Sequence, residues 1–526
     1  MPSGNTGLSF PAVQVTDFEG QSIINNSMLA STVHFLAASS LPGLVLAPTH
    51  WPHDLWQIAQ DLLGQHLRIF IGFVLALLVV GRLMLEKRNP SNVFAWGLVI
   101  FFIPWLGVPL YFLFGGRKCR HLVKMKLEVN ALATQLATGV PATVPPFAGA
   151  APPASPRRKY AQNSFRLFGD GVEGYRALRA EIARAEKSIY LQTFILGRDE
   201  PARQIVADLT ERARAGVEVK LLLDALGCFG AAGSFVEPLR QAGGRTARFM
   251  PVLPLQTKAS ANLRNHRKFA VFDHDRVIVG GQNIDHRFID SRDSPGLFLD
   301  FSAQIEGPVV AAFNRNFVSD WCFASGDSPE KFRDLLAHIP AARGPEATEV
   351  LASGPDVAGD PLWERLLTLV QQCRSELTIV TPYFVPDEVL FQSLIIQAHS
   401  GRRVRIIVPE NSNHLIADFA RHYYLRQLHD AGVEVLLYTP KMMHAKLVLV
   451  DNEVALMGSA NMDMRSLFVN FEIGVLLYSP GAIGELTAWT DVLRRDCVTY
   501  LDSGHAGAGA NRRVMEDFAH LLGPLL

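Results

Sequence analysis

The sequence predicts an α/β protein of two tandem sandwich domains related by a pseudo-twofold axis, preceded by a transmembrane helical hairpin. Three observations carry this expectation. Beyond residue 161 the chain runs twice through the same alternation of helix and strand patterns. Each run closes on the same polar constellation at the same spacing. Two long apolar stretches, 67–85 and 93–114, precede both.

Length and charge narrow the classes first. A chain of 526 residues exceeds one ordinary core, so several domains are expected. Basic and acidic side chains balance at 50 each, which argues against a nucleic-acid partner. Cys119, Cys228, Cys322, Cys373 and Cys497 have no zinc-ligand spacing and no disulfide framework, and no metal or cofactor is expected. A mean hydropathy of +0.15 points to membrane contact.

Residues 1–66 contain no Lys or Arg and lack the basic start of a secretory signal; they are read as an extension of unknown structure. The nineteen residues 67–85 would cover about 28 Å as a helix, enough for a bilayer core. The second stretch, 93–114, carries Trp96 and Tyr111 where interfacial aromatics sit. Pro104 and Pro109 would kink it, so a re-entrant hairpin is the alternative. Arg117, Lys118, Arg120, Lys124 and Lys126 follow the hairpin, against Arg82, Lys87 and Arg88 in its turn. The positive-inside rule then puts the C-terminal bulk in the cytoplasm. The expected domains are therefore the extension 1–66, a two-span anchor 67–118 and a helical, Pro/Ala-rich linker 119–160, then α/β domains 161–343 and 344–526. Such a linker implies a separable anchor, with a chain starting near Ser155 still folding.

Within the repeat, the helix pattern 176–187 leads into the strand 189–194, and 362–374 leads likewise into 377–381. A further helix and the strands 215–223 and 400–408 follow, then third helices ending at Ala242-Gly243 and Ala431-Gly432. Two such units place a shared site at their seam.

The closing constellation is His266-Arg267-Lys268, Asp273 and Gly280-Gly281-Gln282-Asn283 in the first copy. In the second it is His444-Ala445-Lys446, Asp451 and Gly458-Ser459-Ala460-Asn461. His and Lys two apart on a strand share a face. A hairpin turning at Asp273-His274-Asp275 or Asp451-Asn452 would bring Asn283 back beside His266 and Asn461 back beside His444. One His-x-Lys is usually an exposed strand edge. Two at matched spacing inside a matched repeat make a site.

The inventory suits a phosphodiester. One imidazole can attack phosphorus while the other protonates the leaving alkoxide. Two Lys and two Asn can hold the non-bridging oxygens in place of a metal. The small Gly280-Gly281 and Gly458-Ser459 pairs would let backbone approach the phosphate.

At these residues the chain resembles the phospholipase D superfamily, and its flanks resemble bacterial cardiolipin synthases. The flanks in question are Arg88-Asn89-Pro90-Ser91 in the hairpin, Thr381-Pro382-Tyr383-Phe384-Val385-Pro386-Asp387, Met464-Arg465-Ser466-Leu467, Asn470-Phe471-Glu472 and the closing Leu521-Leu522-Gly523-Pro524-Leu525-Leu526. The resemblance implies a multi-pass inner-membrane enzyme that joins two phosphatidylglycerols into cardiolipin and glycerol through a phosphatidyl-histidine. It implies His266 as nucleophile and His444 as general acid, a choice that the symmetric spacing does not make. Lys268, Lys446, Asp273 and Asp451 are grouped with them as catalytic motif residues, although in related enzymes the motif Asp is mainly structural. Asn283, Ser459 and Asn461 are the substrate-binding candidates, and Asp300 and Glu472 the carboxylates that orient the histidines. The competing readings are a phospholipase D hydrolase with water as acceptor, a phosphodiesterase on nucleic acid, and a non-catalytic lipid-binding scaffold.

Overall fold

A computed structural model describes residues 90–111, 120–137, 158–231, 233–251, 262–289, 296–505, 509–521 and 523, with part of 64–81. Nearly all of the expected extension, about half of the first span, the charged turn 86–89 and the Pro/Ala-rich stretch lie outside the described residues. The chain divides into two compact units, 1–70 and 71–526, and both catalytic halves belong to the second.

The first half contributes strands β1 (Lys159–Phe168), β2 (Ser188–Thr193), β3 (Glu218–Asp224), β4 (Arg245–Phe249), β5 (Phe269–Phe272), β6 (Arg276–Gly280) and β7 (Ser302–Glu306). The second contributes β8 (Glu346–Ser353), β9 (Glu376–Val380), β10 (Arg403–Pro409), β11 (Glu434–Tyr438), β12 (Leu447–Val450), β13 (Val454–Gly458), β14 (Glu472–Leu477) and β15 (Cys497–Thr499). All join one 15-stranded sheet in the order β15-β11-β10-β9-β12-β13-β14-β8-β1-β7-β6-β5-β2-β3-β4. β1 and β8 meet antiparallel at its centre, through Lys159 opposite Glu349 and Tyr160 opposite Thr348. Outward from that pair the two halves repeat the same strand order, with β15 added at one edge.

Apolar burial explains why the halves stay joined. Each keeps an outer core of its own, around Ile189, Leu221 and Phe272 in one and Ile379, Ile406 and Leu425 in the other. A third core runs across the seam, uniting Phe249, Phe269, Phe313 and Trp321 with Met457, Phe471 and Val475. Phe249 meets Phe471 edge to face at 5.0 Å. Burying a side chain of this size contributes about 1.5–3 kcal/mol, so the seam is held by the same force as the domains.

The two motif hairpins form as expected, β5–β6 and β12–β13, with Asp273 and His274 at φ 50° and 68° and Asp451 and Asn452 at 53° and 54°. Two consecutive left-handed residues are what a tight hairpin turn requires. The strands begin at Phe269 and Leu447, however. His266 and Lys268, like His444 and Lys446, therefore lie in the segments leading into the hairpins rather than in them.

The second apolar stretch does not form one continuous helix. It divides into the helices Pro90–Phe102 and Pro104–Leu110, broken at Ile103 because Pro104 cannot donate to the preceding turn. Among the described residues no helix is long and apolar enough to cross a membrane. The next helix, Arg120–Leu136, is no linker: Leu122, Ala133 and Leu136 enter the seam core. Lys126, counted from sequence among the flanking charges, is fully buried; it bonds Ser319 at 2.6 Å and pairs with Asp320 and Asp356 at 3.0 Å each. A chain starting at Ser155 would lack this helix.

Candidate active site

The motif aspartates fasten the hairpins from the far end. Asp273 accepts from the backbone N–H groups of Glu186, Lys187 and Ser188, and Asp451 accepts from those of Arg374, Ser375 and Glu376. Each ties its turn to the start of the neighbouring strand, β2 or β9, and neither reaches the cavity. Both carboxyls are held below the usual range, because these donors outweigh the effect of burial. The grouping of Asp273 and Asp451 with the catalytic residues is thereby corrected: their contacts are structural.

At the other end the halves exchange partners. The segment bearing His266 is laced to the start of β14: His266 N–H donates to Phe471 C=O, and Phe471 N–H to Arg264 C=O, both at 2.9 Å. The segment bearing His444 is laced likewise to the first half, its N–H donating to Leu299 C=O at 2.6 Å. Each histidine thus meets the carboxylate of the opposite half. His266 Nδ1 lies 2.8 Å from Glu472 Oε1, and His444 Nδ1 lies 2.7 Å from Asp300 Oδ2. Nδ1–H donating to a carboxylate leaves Nε2 with its lone pair.

The two glycine pairs make this crossing possible. A Cβ at Gly280 would lie 2.7 Å from Phe301 O, and one at Gly458 2.1 Å from Ile473 O. At these glycines β6 comes close to the segment that follows Asp300, and β13 to β14, which carries Glu472. At the next position the halves differ. Ser459 donates to Glu472, whereas a Cβ at Gly281 would lie 2.8 Å from Asp300 Oδ2 and 3.0 Å from Lys446 Cδ. Glycine is required where the carboxylate itself occupies the space.

The two carboxylates are also electrostatically unequal. Burial pushes Glu472 up, but His266, Lys268 and Ser459 outweigh it and hold the carboxyl below its usual value. At Asp300 burial outweighs the opposing pull of Lys446, the Phe301 N–H and Lys268, and raises the carboxyl to about 7. Burial also lowers His266 to about 4 against the pull of Glu472, and lowers His444 well below its usual value. Lys268 and Lys446 fall to about 7 and about 8, again chiefly through burial. Lys268 Nζ donates to His266 C=O at 2.6 Å. Lys446 Nζ donates to His444 C=O and lies 2.7 Å from His444 Nδ1, where it competes with Asp300.

His266, His444, Asn283 and Asn461 line one cavity of about 640 Å³. Phe194 covers His266 edge-on at 4.8 Å, and Phe288 covers His444 at 5.0 Å. Ser459 stands behind Glu472 instead of in the cavity wall. Arg287 and Arg465 also line it, a pair that sequence reading passed over. The signal was there: Asp-x-Arg recurs two residues after Asn283 and after Asn461. Asp285 holds Arg287 at 2.7 Å, and Asn262 C=O holds Arg465 at 2.9 Å.

Arg267, the middle residue of the first motif, has no counterpart in Ala445. It is buried, forks onto Asp320 at 2.8 Å and donates to the C=O of Glu472 and of Ser353 at 3.0 Å each. Among the described residues one group, Asp199, Asp285 and His286, could gather around a cation. Its oxygens are already used. Asp199 caps the helix Glu200–Arg214 and accepts from His286, and Asp285 holds Arg287.

Two imidazoles, each backed by a carboxylate from the other half and flanked by a lysine, on paired α/β units in one sheet, define the class as phospholipase D-like. The comparisons narrow it. The profile described as "Cardiolipin synthase, PLD-like domain" matches residues 178–321 and 366–493, and "Phospholipase D-nuclease N-terminal" matches 73–116. The chain is similar to a cardiolipin synthase of Geobacillus kaustophilus, 30% identical over 87% of this chain and 92% of the relative. A Geobacillus thermodenitrificans cardiolipin synthase is 29% identical over 92% of this chain and 97% of the relative. The fold is like that of Haemophilus influenzae phosphatidylserine synthase, with a TM-score of 0.56 at 17% identity over 76% of this chain and 100% of the other. The chain belongs to the cardiolipin synthase family of phospholipase D-like enzymes.

Proposed function

We propose that this enzyme transfers a phosphatidyl group from one phosphatidylglycerol to the glycerol hydroxyl of a second, making cardiolipin and glycerol. The observation that carries the scheme is the crossed pairing of His266 with Glu472 and His444 with Asp300 around one cavity. Family membership supplies the substrate class.

His266 Nε2 attacks phosphorus, and the bond from phosphorus to the glycerol oxygen breaks. The departing alkoxide takes the proton carried by His444, whose protonated form is favoured by the anionic phosphodiester between the two rings. The second lipid's hydroxyl then returns its proton to His444 and attacks phosphorus. The P–N bond breaks and His266 is restored. Lys268 and Lys446 stabilise the charge on the non-bridging oxygens. The buried Oδ1 of Asn461 has no hydrogen-bond partner among the described residues and is available to a lipid hydroxyl.

His266 is assigned as the nucleophile because its carboxylate is the one held ionised against burial, by His266 itself and then by Lys268 and Ser459. An anionic Glu472 stabilises the positive charge that the ring acquires on attack. Residues 67–118 are assigned as a multi-pass inner-membrane anchor with the catalytic halves on the cytoplasmic side. The family match over 73–116 and the exposed Phe101, Phe102, Trp105 and Leu106 support that placement.

One phosphodiester replaces another, so no nucleotide-activated lipid is needed. The test is the product profile from phosphatidylglycerol alone. Equal amounts of cardiolipin and glycerol are expected, and added glycerol should drive the reaction backwards. Phosphatidic acid as the main product would make the enzyme a hydrolase.

A further inference from the structure

The cavity holding both histidines, at about 640 Å³, suits one drug-sized ligand. Under the reaction proposed above, two phosphatidylglycerols bring four acyl chains to it, far more than it can enclose. Each methylene drawn from a bilayer into water costs free energy. The chains must stay in the bilayer while the head groups reach the histidines, so the cavity mouth has to meet the lipid surface.

The surroundings of the mouth fit that demand. β3 and β10 occupy equivalent places in the two halves, each pairing parallel with the second strand of its half, β2 or β9. The segment after β3 carries Leu226 and Phe229, 43% and 80% exposed, and the segment after β10 carries Leu415 and Ile416, 72% and 54% exposed. Leu226, Leu415 and Ile416 reach the cavity wall. The helix Ala510–Leu521 extends this surface in the second half. It is bound to the helix Leu415–Asp430 by Arg426, which pairs with Glu516 and Asp517 at 2.7 Å each, and it leaves Phe518 and Leu521 exposed. Gly523, just beyond its end, packs close to Val385 in the cavity wall. Isolated exposed apolar residues are ordinary, but here Leu226, Leu415 and Ile416 from the two halves line one cavity, with Phe229, Phe518 and Leu521 exposed on the adjoining segments.

We propose that Leu226 and Phe229 from one half, with Leu415, Ile416, Phe518 and Leu521 from the other, form an apolar rim that dips into the bilayer and seats the cavity mouth on the lipid surface. The occupant is the bilayer and not a protein, because the rim is continuous with a cavity whose substrates must enter from it. A protein seated there would close their route.

Phe229 lies outside the cavity wall, so Phe229→Ser weakens the rim without touching the chemistry. The full chain, in vesicles of phosphatidylcholine, is assayed with long-chain phosphatidylglycerol in the bilayer and with dihexanoyl phosphatidylglycerol supplied from water. The bilayer substrate should lose about tenfold in rate, the factor for one large apolar side chain's burial, while the water-soluble one keeps its rate. No loss on the bilayer substrate, or equal losses on both, would overturn the rim. In Phe229→Trp, the added fluorescence should be quenched by brominated lipid and shielded from aqueous iodide; the reverse also overturns it. Wild-type turnover of the soluble lipid reports separately on the reaction itself.

Discussion

His266 and Glu472 lie 206 residues apart in the chain, yet Nδ1 of one sits 2.8 Å from Oε1 of the other across the seam. Asp300 and His444 make the reciprocal pair at 2.7 Å. Neither half holds a complete acid–base group by itself, so one reaction occupies both motifs.

His266→Ala and His444→Ala should therefore each reduce cardiolipin formation by about a thousandfold or more, since each removes a different bond-making or proton step. Steady-state rates on phosphatidylglycerol check this. Half of the wild-type rate in either variant would mean two independent sites.

The pH profile follows from the buried charges. His266 must be unprotonated to attack, so kcat/KM should fall only as pH drops through about 4, below the range of an ordinary histidine. At the basic end His444 must keep its proton to act as the acid, and burial holds it well below the usual histidine value, so kcat/KM should already decline below the ordinary histidine range and fall further as Lys268 and Lys446 lose their charge through about 7 and about 8. Glu472→Gln removes a charge that raises His266, so the acid limb should move lower still while kcat drops by about a hundredfold or more. An acid limb near 6.5 that ignores this substitution would exclude His266 as the titrating group.

Gly281 and Ser459 occupy equivalent positions but should respond unequally to substitution. Gly281→Ala drives a methyl into the Asp300 carboxylate and should abolish most activity. Ser459→Gly removes one donor to Glu472 and should cost roughly tenfold, in line with a charge-assisted hydrogen bond. Equal activity in the two variants would remove the explanation given for this difference between the copies.

Much of this was legible in the sequence, because hairpin geometry and motif spacing are local. The repeat, both turns, the two histidines and the two orienting carboxylates could all be marked there. Which carboxylate serves which histidine could not, since the crossing depends on Phe471 and Leu299 pairing across the seam. Lys126 was misplaced for a related reason. A basic residue after an apolar run looks like an interfacial charge until its partners, Asp320 and Asp356, come into view roughly two hundred residues later.

Lys126→Met should accordingly destabilise the catalytic unit by on the order of 3 kcal/mol, because it strands buried carboxylates beside Arg267. Denaturant unfolding of the full chain checks this. A chain starting near Ser155 should fail to hold the site for the same reason. Wild-type stability in the Lys126→Met protein would show the network to be dispensable.

The central claim is that His266 carries the phosphatidyl group between the two lipids. Phosphatidylglycerol with radioactive phosphate is mixed with the full-length enzyme, stopped in alkali within the first turnover, and the protein is cleaved and mapped. The scheme predicts label on the peptide containing His266, absent from His266→Ala and lost on addition of unlabelled phosphatidylglycerol as cardiolipin appears. Label on the His444 peptide, or cardiolipin formed with no labelled histidine at any time, would contradict it.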